Sequence, residues 1–236
     1  MKNVSDSTAV LRALADNVWV ADRPLDLLVG NIGARMTIVR LQSGGLFIHS
    51  PVLPDAPTCA ALRSIGPVVG VVAPNKTHHF FVRRFQQAFP EAEFWIAPGL
   101  VQKRPELGFA NSLTDNAPPL WSSDLAQLHV RGIPVLEEVV FFHPSSKTLI
   151  LTDLVFNMPA EPRADWRLKL FLRLNDARGR FGPTRLVRNL IRDRRAFRAA
   201  LERILEWDFE RIVMSHGAVL EHRGREAFAQ AFAPWL

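Results

Sequence analysis

Apolar and polar residues alternate from Arg35 to Leu41 (RMTIVRL). Ser43-Gly44-Gly45 then turns the chain into a second apolar run, Leu46 to His49. Period-two alternation on both sides of a glycine-containing turn predicts a β-hairpin. Val18 to Ala21 predicts a short strand before it. Val68 to Ala73 (VVGVVA) is apolar throughout, the pattern of a strand buried on both faces, and Pro74 ends it. Further strands are predicted at Glu93–Ile96, Leu125–Val130, Glu138–His143, Thr148–Thr152 and Arg211–Met214. Pro144 to Lys147 makes a four-residue turn between two of them. Helical spacing marks Pro57 to Ile65, with proline near its start, and Phe80 to Phe89, stopped by Pro90. A short helix is predicted over 99–104. Three more are predicted over 166–177, 183–193 and 195–206, the first two separated by Gly179, Gly182 and Pro183, and a closing helix over 223–232.

The order of elements is hairpins, then βαβα, then a hairpin, then helices, then one strand and one helix. Each half of the chain combines an antiparallel entry with helices. That arrangement predicts an α/β fold of two sheets packed face to face with helices outside, rather than a doubly wound sheet. There is no internal repeat, and neither GxGxxG nor GxxxxGK[ST] occurs, which removes support for a phosphate loop. The 236 residues are read as one domain, 1–236, with a basic helical insertion at about 163–206.

Composition narrows this picture. One cysteine, Cys59, excludes an intramolecular disulfide and fits a reducing compartment. The first residues lack an apolar signal core, and apolar runs reach only about five residues, far short of the ~20 needed to span a bilayer. A soluble, cytoplasmic protein is expected. The net charge is +6, but Arg163 to Arg203 holds 13 Lys or Arg against 4 Asp or Glu. The rest of the chain is slightly acidic.

Three segments follow apolar strands and open loops with residues able to bind metal or move protons. They are Pro74-Asn75-Lys76-Thr77-His78-His79, Thr152-Asp153 and Ser215-His216-Gly217. Converging strand ends are where such folds build sites. Neutral imidazoles with a carboxylate suit zinc, iron or manganese.

With these segments, an N-terminal hairpin ending in Phe47-Ile48-His49-Ser50-Pro51 and the run Glu138 to His143, the chain resembles the metallo-β-lactamase superfamily. It is most similar to a branch known only as a domain of unknown function. The resemblance runs from about residue 15 to the end. It implies a four-layer αβ/βα sandwich with the site at one end, between two mixed sheets. The superfamily loop reads His-x-His-x-Asp-His. If Asn75 takes its first place, Thr77, His79 and Phe80 take the others; slid by one, Pro74, Lys76, His78 and His79 do. In both alignments the two histidines that would hold the first metal are absent, and Pro134 or a neighbour replaces the third. Asp153 matches the bridging aspartate and His216 the last histidine of the second site.

The expected remnant is a single-metal set of His78, His79 or both with Asp153 and His216, and Glu138 as a further candidate ligand. Asp153 and His79 are the candidate catalytic residues. One divalent metal, or none, is expected. Three protein ligands and an open position would lower the pKa of bound water to ~7. The function implied is hydrolysis of a small ester, thioester or lactone. The alternatives are a non-catalytic protein binding a small ligand or partner through the same cleft, with a decayed metal site, and a membrane-peripheral protein using the basic amphipathic helices.

Other candidates carry less. His49 is read as a core-edge histidine and His143 as an exposed one before a turn. His129 and His222 have no supporting partners in sequence. Glu137 and Glu138 alternate on a strand, so only one can face inward. Asn157 is read as turn chemistry, and Lys103 and Arg104 as a surface helix. The basic segment admits four readings: a solvated cover on the sheet, a membrane-surface helix pair over 166–198, a lid for anionic substrate, or a nucleic-acid surface. The last is disfavoured by sparse aromatic interleaving.

Overall fold

The structure is a computed structural model and describes residues 10–109, 111–160 and 165–236. In chain order the strands are β1 (Arg12–Ala15), β2 (Val18–Arg23), β3 (Asp26–Leu27), β4 (Gly30–Asn31), β5 (Ala34–Arg40), β6 (Leu46–His49), β7 (Val68–Ala73), β8 (Glu93–Ile96) and β9 (Asn111–Ser112). They continue as β10 (Ala126–His129), β11 (Val139–His143), β12 (Thr148–Ile150), β13 (Phe156–Met158), β14 (Arg180–Gly182) and β15 (Arg211–Val213). The helices are α1 (Ala56–Ile65), α2 (Val82–Ala88), α3 (Leu100–Lys103), α4 (Trp166–Leu174), α5 (Arg185–Leu190), α6 (Arg194–Leu205) and α7 (Gly224–Phe232).

One sheet has seven strands in the order β1-β2-β5-β6-β7-β8-β9, antiparallel up to β6 and parallel from β6 to β9. The other has four, β10-β11-β12-β15, with only the β12–β15 pair parallel. Alternation along the strands sets the layers. In β11, Val139 and Phe141 point between the sheets, where they meet Phe47, Val72 and Trp121. Val140 and Phe142 point outward, into a core shared with Phe197 and Leu201 of α6 and Phe228 and Phe232 of α7. Likewise Ile48 and Val71 face outward to Leu62 of α1 and Phe85 of α2. The result is helix, sheet, sheet, helix: an αβ/βα sandwich whose three apolar layers follow from period two in strands and 3.6 in helices.

The basic segment divides. Arg163 lies outside the described residues, but α6, capped by Asp193, belongs to the outer helical layer. The helix α4 instead packs Leu168 and Leu172 on Ile32, Phe156 and Met158. It starts at Asp165, which accepts from the Leu168 N–H, and ends sooner than its pattern predicts because Asn175 caps it and Asp176 takes φ 54°. Thr184 likewise starts α5 two residues later than predicted. His143, expected to be exposed, is buried at the end of β11, with Nδ1 2.7 Å from Ser146 Oγ. No described helix is long and apolar enough to cross a membrane.

Two features fix the end of the sandwich where the site lies. The Lys76 N–H donates to Leu136 O and the Val139 N–H to Pro74 O, which joins the loop after β7 to the start of β11. Buried Arg35 on β5 bonds Asp22 Oδ1 at 2.7 Å and reaches across to Met214 O at 2.8 Å, just before Ser215-His216.

Candidate metal centre

Asp153 is placed by the backbone around it. Glu138, buried at the head of β11, accepts the N–H groups of Thr152, Asp153 and Leu154 at 2.6, 3.0 and 3.1 Å. These three consecutive amides close around one carboxylate, which sets the turn that presents Asp153. Burial, and then the Asp153 charge, push the Glu138 carboxyl up to about 7.

The β7 loop supplies the next side chains. Asn75 Oδ1 accepts from the Thr77 and His78 N–H groups, at 2.7 and 2.8 Å. This is an Asx-type turn, in which a side-chain oxygen replaces a backbone acceptor. Its other end, Asn75 Nδ2, donates to Asp153 Oδ2 at 2.8 Å, and Thr77 Oγ1 donates to the same oxygen at 2.5 Å. The turn aims His78 inward: its Nε2 lies 3.3 Å from Asp153 Oδ2, and its Nδ1 pairs with Ser50 Oγ at 2.7 Å. Ser50 is held at φ 55°, a backbone state that non-glycine residues seldom adopt.

From the other sheet, His216 Nε2 lies 3.2 Å from Asp153 Oδ1, while its Nδ1 donates to Gly33 O at 3.0 Å. Both histidines therefore have one nitrogen fixed by the protein and the other turned to the carboxylate. Burial opposes charge on His78, but the neighbouring Asp153 and then Glu138 outweigh it and raise its pKa. Burial likewise opposes ionisation of Asp153, yet His78 and His216 hold it well below the usual carboxylate range.

The structure thus brings His78, Asp153 and His216 together, with one donor atom from each all within 4.8 Å of one another. It leaves out two residues expected with them. His79 turns away: its Nδ1 is 3.3 Å from Arg104 Nη1, and burial, Arg104 and Lys103 depress it to about 4. Adjacent residues leave a turn in different directions, and the Asx turn favours His78. The Glu138 oxygens are occupied by backbone amides. Sequence reasoning missed the holding roles of Asn75, Thr77, Ser50 and Gly33. An Asn-x-Thr directly after a strand-ending proline is a turn signal that could have identified the first two. His49 is buried with Nε2 unpartnered, and Asn157, read as turn chemistry, lies instead on β13, where its side chain donates across to Ala218 O.

Above the three side chains opens a cavity of about 290 Å³. Thr77, His78, Asp153 and His216 supply its polar part, and its walls are apolar: Leu25 and Ile32 beside the β3–β4 hairpin, Leu136, Phe156, Phe171 of α4 and Leu190 of α5. This is the form of a small-molecule site, with an apolar cleft and a few convergent polar groups.

The model of a family described as Domain of unknown function (DUF4336) matches residues 15–180. No curated protein matches the chain. Among solved structures, a metallo-β-lactamase from Erythrobacter litoralis aligns over 95% of both chains, with TM-score 0.66 and 16% identity. One from Hirschia baltica aligns over 95% of this chain and 96% of its own, at 0.62 and 13%. The FIM-1 enzyme from Pseudomonas aeruginosa, in its mono-zinc form, aligns over 96% of both, at 0.61 and 14%. These likenesses establish the metallo-β-lactamase fold.

Proposed function

The chain belongs to the family Domain of unknown function (DUF4336), and from its site we propose that it binds one divalent metal through His78, Asp153 and His216 and hydrolyses a small ester, thioester or lactone. The observation that carries this reading is the spacing of the donors. Tetrahedral ligands at ~2.0–2.1 Å from one ion stand roughly 3.3 Å apart. His78 Nε2 lies 3.3 Å from Asp153 Oδ2 and His216 Nε2 3.2 Å from Asp153 Oδ1, and one donor atom from each of the three residues lies within 4.8 Å of the others, a spread that closing on one ion would tighten. Ser50 Oγ and Gly33 O, on the second nitrogens, fix ring orientation, and Gly33 O, which can only accept, also sets the His216 tautomer, as outer partners of metal-bound histidines do. The donor set suits zinc, with iron or manganese as alternatives. The mono-zinc form of a structural neighbour gives a one-metal precedent.

A bound divalent ion would supply Lewis acidity, acidifying water and polarising an acyl carbonyl. The chain's own residues do the rest. Thr77 and Asn75 hold Asp153 Oδ2 in place. The apolar walls take the acyl or alkyl group and exclude bulk water, which strengthens electrostatic effects at the floor. His79 has no part in this reading, since it faces Arg104.

One observation favours a second reading. Asp153 Oδ2 already receives two hydrogen bonds from protein donors and faces His78. A carboxylate so satisfied fits a metal-free cleft that binds a ligand without turning it over. Metal analysis of protein purified without a polyhistidine tag separates the two readings. The first expects close to one zinc, iron or manganese per chain, lost in His78→Ala and Asp153→Asn. It also expects turnover of 4-nitrophenyl esters or acyl thioesters that chelation abolishes and zinc restores. A metal content well below one per chain, unaltered in His78→Ala, would overturn it.

A further inference from the structure

The exposed large apolar side chains concentrate around the mouth of the cavity. Leu27, Phe80, Val135 and Leu186 line the cavity and are also exposed. Leu28, at the tip of the β3–β4 hairpin, is 95% exposed, and Trp166 at the start of α4 is 72% exposed. Trp166, Leu170 and Leu174 are exposed and spaced by four, so they form one stripe along α4, while Leu168 and Leu172 on its other side are buried. The hairpin and α4 are joined at this end: a side chain at Gly30 would meet Asp165 Oδ1 at 2.7 Å.

Charge follows the same surface. Between Asp165 and Leu190 the chain has seven Lys or Arg and two Asp. Asp176 is taken up by Arg180 and Arg188, and Asp165 by Arg167. Lys169 and Arg173 are exposed on α4 and form no ion pair among the described residues. A helix with an apolar stripe, a tryptophan at one end and flanking cations is the form of an interfacial helix. A surface of free cations among protruding apolar side chains complements an anionic headgroup layer over an acyl interior.

We propose that the cavity end of this protein docks on an anionic lipid bilayer. Leu28 and the Trp166–Leu170–Leu174 stripe enter the boundary between headgroups and acyl chains, and Lys169 and Arg173 meet the headgroups. The cavity mouth then opens toward the bilayer. The inference stands independently of metal chemistry.

Co-sedimentation tests it, using vesicles of phosphatidylcholine alone and of phosphatidylcholine with phosphatidylglycerol. The full chain partitions onto the phosphatidylglycerol vesicles at low salt and less at high salt. Leu28→Asp or Trp166→Asp lowers partitioning at least about tenfold. Lys169→Gln and Arg173→Gln each lower it about fivefold. Asp153→Asn leaves it within about twofold, so failure of the metal reading and failure of this one are separately visible. Thermal melts control for folding, and if Trp166→Asp unfolds, the fully exposed Leu28→Asp decides the question. Three results would overturn the proposal: no partitioning onto phosphatidylglycerol vesicles, partitioning that both aspartate variants leave unchanged, or a dimer in light scattering that Leu28→Asp dissolves, which would assign the face to a second copy of the chain.

Discussion

At the scale of single residues the site depends on a side chain that does not face the cavity. Glu138 gathers three backbone amides and leaves Asp153 at the apex of the turn they make. In Glu138→Gln an amide group replaces one oxygen, so at least one buried N–H loses its acceptor. A buried donor without a partner costs about 1–3 kcal/mol, which chemical denaturation should detect as a lower midpoint at unchanged slope. Because the same amides set the position of Asp153, zinc affinity measured by calorimetry should fall by roughly 10–100-fold, the effect expected of losing an outer partner. Stability lost with zinc affinity intact would show that the turn is held by other contacts. Asp153 and His216 were legible in sequence as residues ending apolar strands. The choice of His78 over His79 was not, because neighbours in a loop share their composition. It is made by the two backbone N–H bonds that Asn75 Oδ1 accepts. Alternation showed that only one of Glu137 and Glu138 could face inward, but sequence could not distinguish metal from backbone amides as the partner of Glu138.

At the scale of elements, the long strands were legible because they are apolar runs, continuous where both faces are buried, as in β7, or alternating, as in β5. The β13–β14 ribbon was not, since Phe156–Met158 and Arg180–Gly182 are three residues each and lack the apolar run that marks the equally short β12 and β15. Yet this ribbon positions His216. The Asn157 N–H donates to His216 O and the Ala218 N–H to Asn157 O, so the loop after β15 is fastened to β13 on both sides of Gly217. A Cβ at Gly217 would lie 2.2 Å from Asn157 O, with φ at +96°. Backbone on both sides prevents relief by a side-chain movement. Gly217→Ala should therefore destabilise by at least about 2–3 kcal/mol and weaken metal binding by displacing His216. Gly44→Ala is the control. Its φ is also positive, at +85°, but nothing lies within 4 Å, so only strain of about 1 kcal/mol remains. Melting temperatures of the two variants compare the effects directly. Equal shifts would mean that the contact with Asn157 relaxes without cost.

At the scale of the whole molecule, the same buried end that assembles the site makes folding sensitive to acid. His49 and His79 sit in the native protein with pKa depressed from 6.5 to about 3 and about 4, chiefly by burial. Below pH 6.5 the unfolded chain takes up protons that the native state refuses, so these two groups lower stability as pH falls through that window. Glu138, raised from 4.5 to about 7, acts in the opposite sense, since between those values the native state holds the extra proton. His143, also lowered by burial, adds to the histidine side, so the histidines outweigh the one carboxyl by at least about one proton between pH 4.5 and 6.5. Stability of metal-free protein should therefore drop on acidification across this range, by at least roughly 1.4 kcal/mol per pH unit, the effect of one net proton. Above pH 6.5 the raised His78 reverses the trend, because its stabilising proton is lost as pH rises. The optimum is thus expected near pH ~6.5. Urea denaturation at several pH values measures the slope. In His79→Gln one of these histidine protons disappears, and the slope between pH 4.5 and 6.5 should become shallower. If the variant retained the wild-type slope, the acid sensitivity would arise elsewhere in the fold.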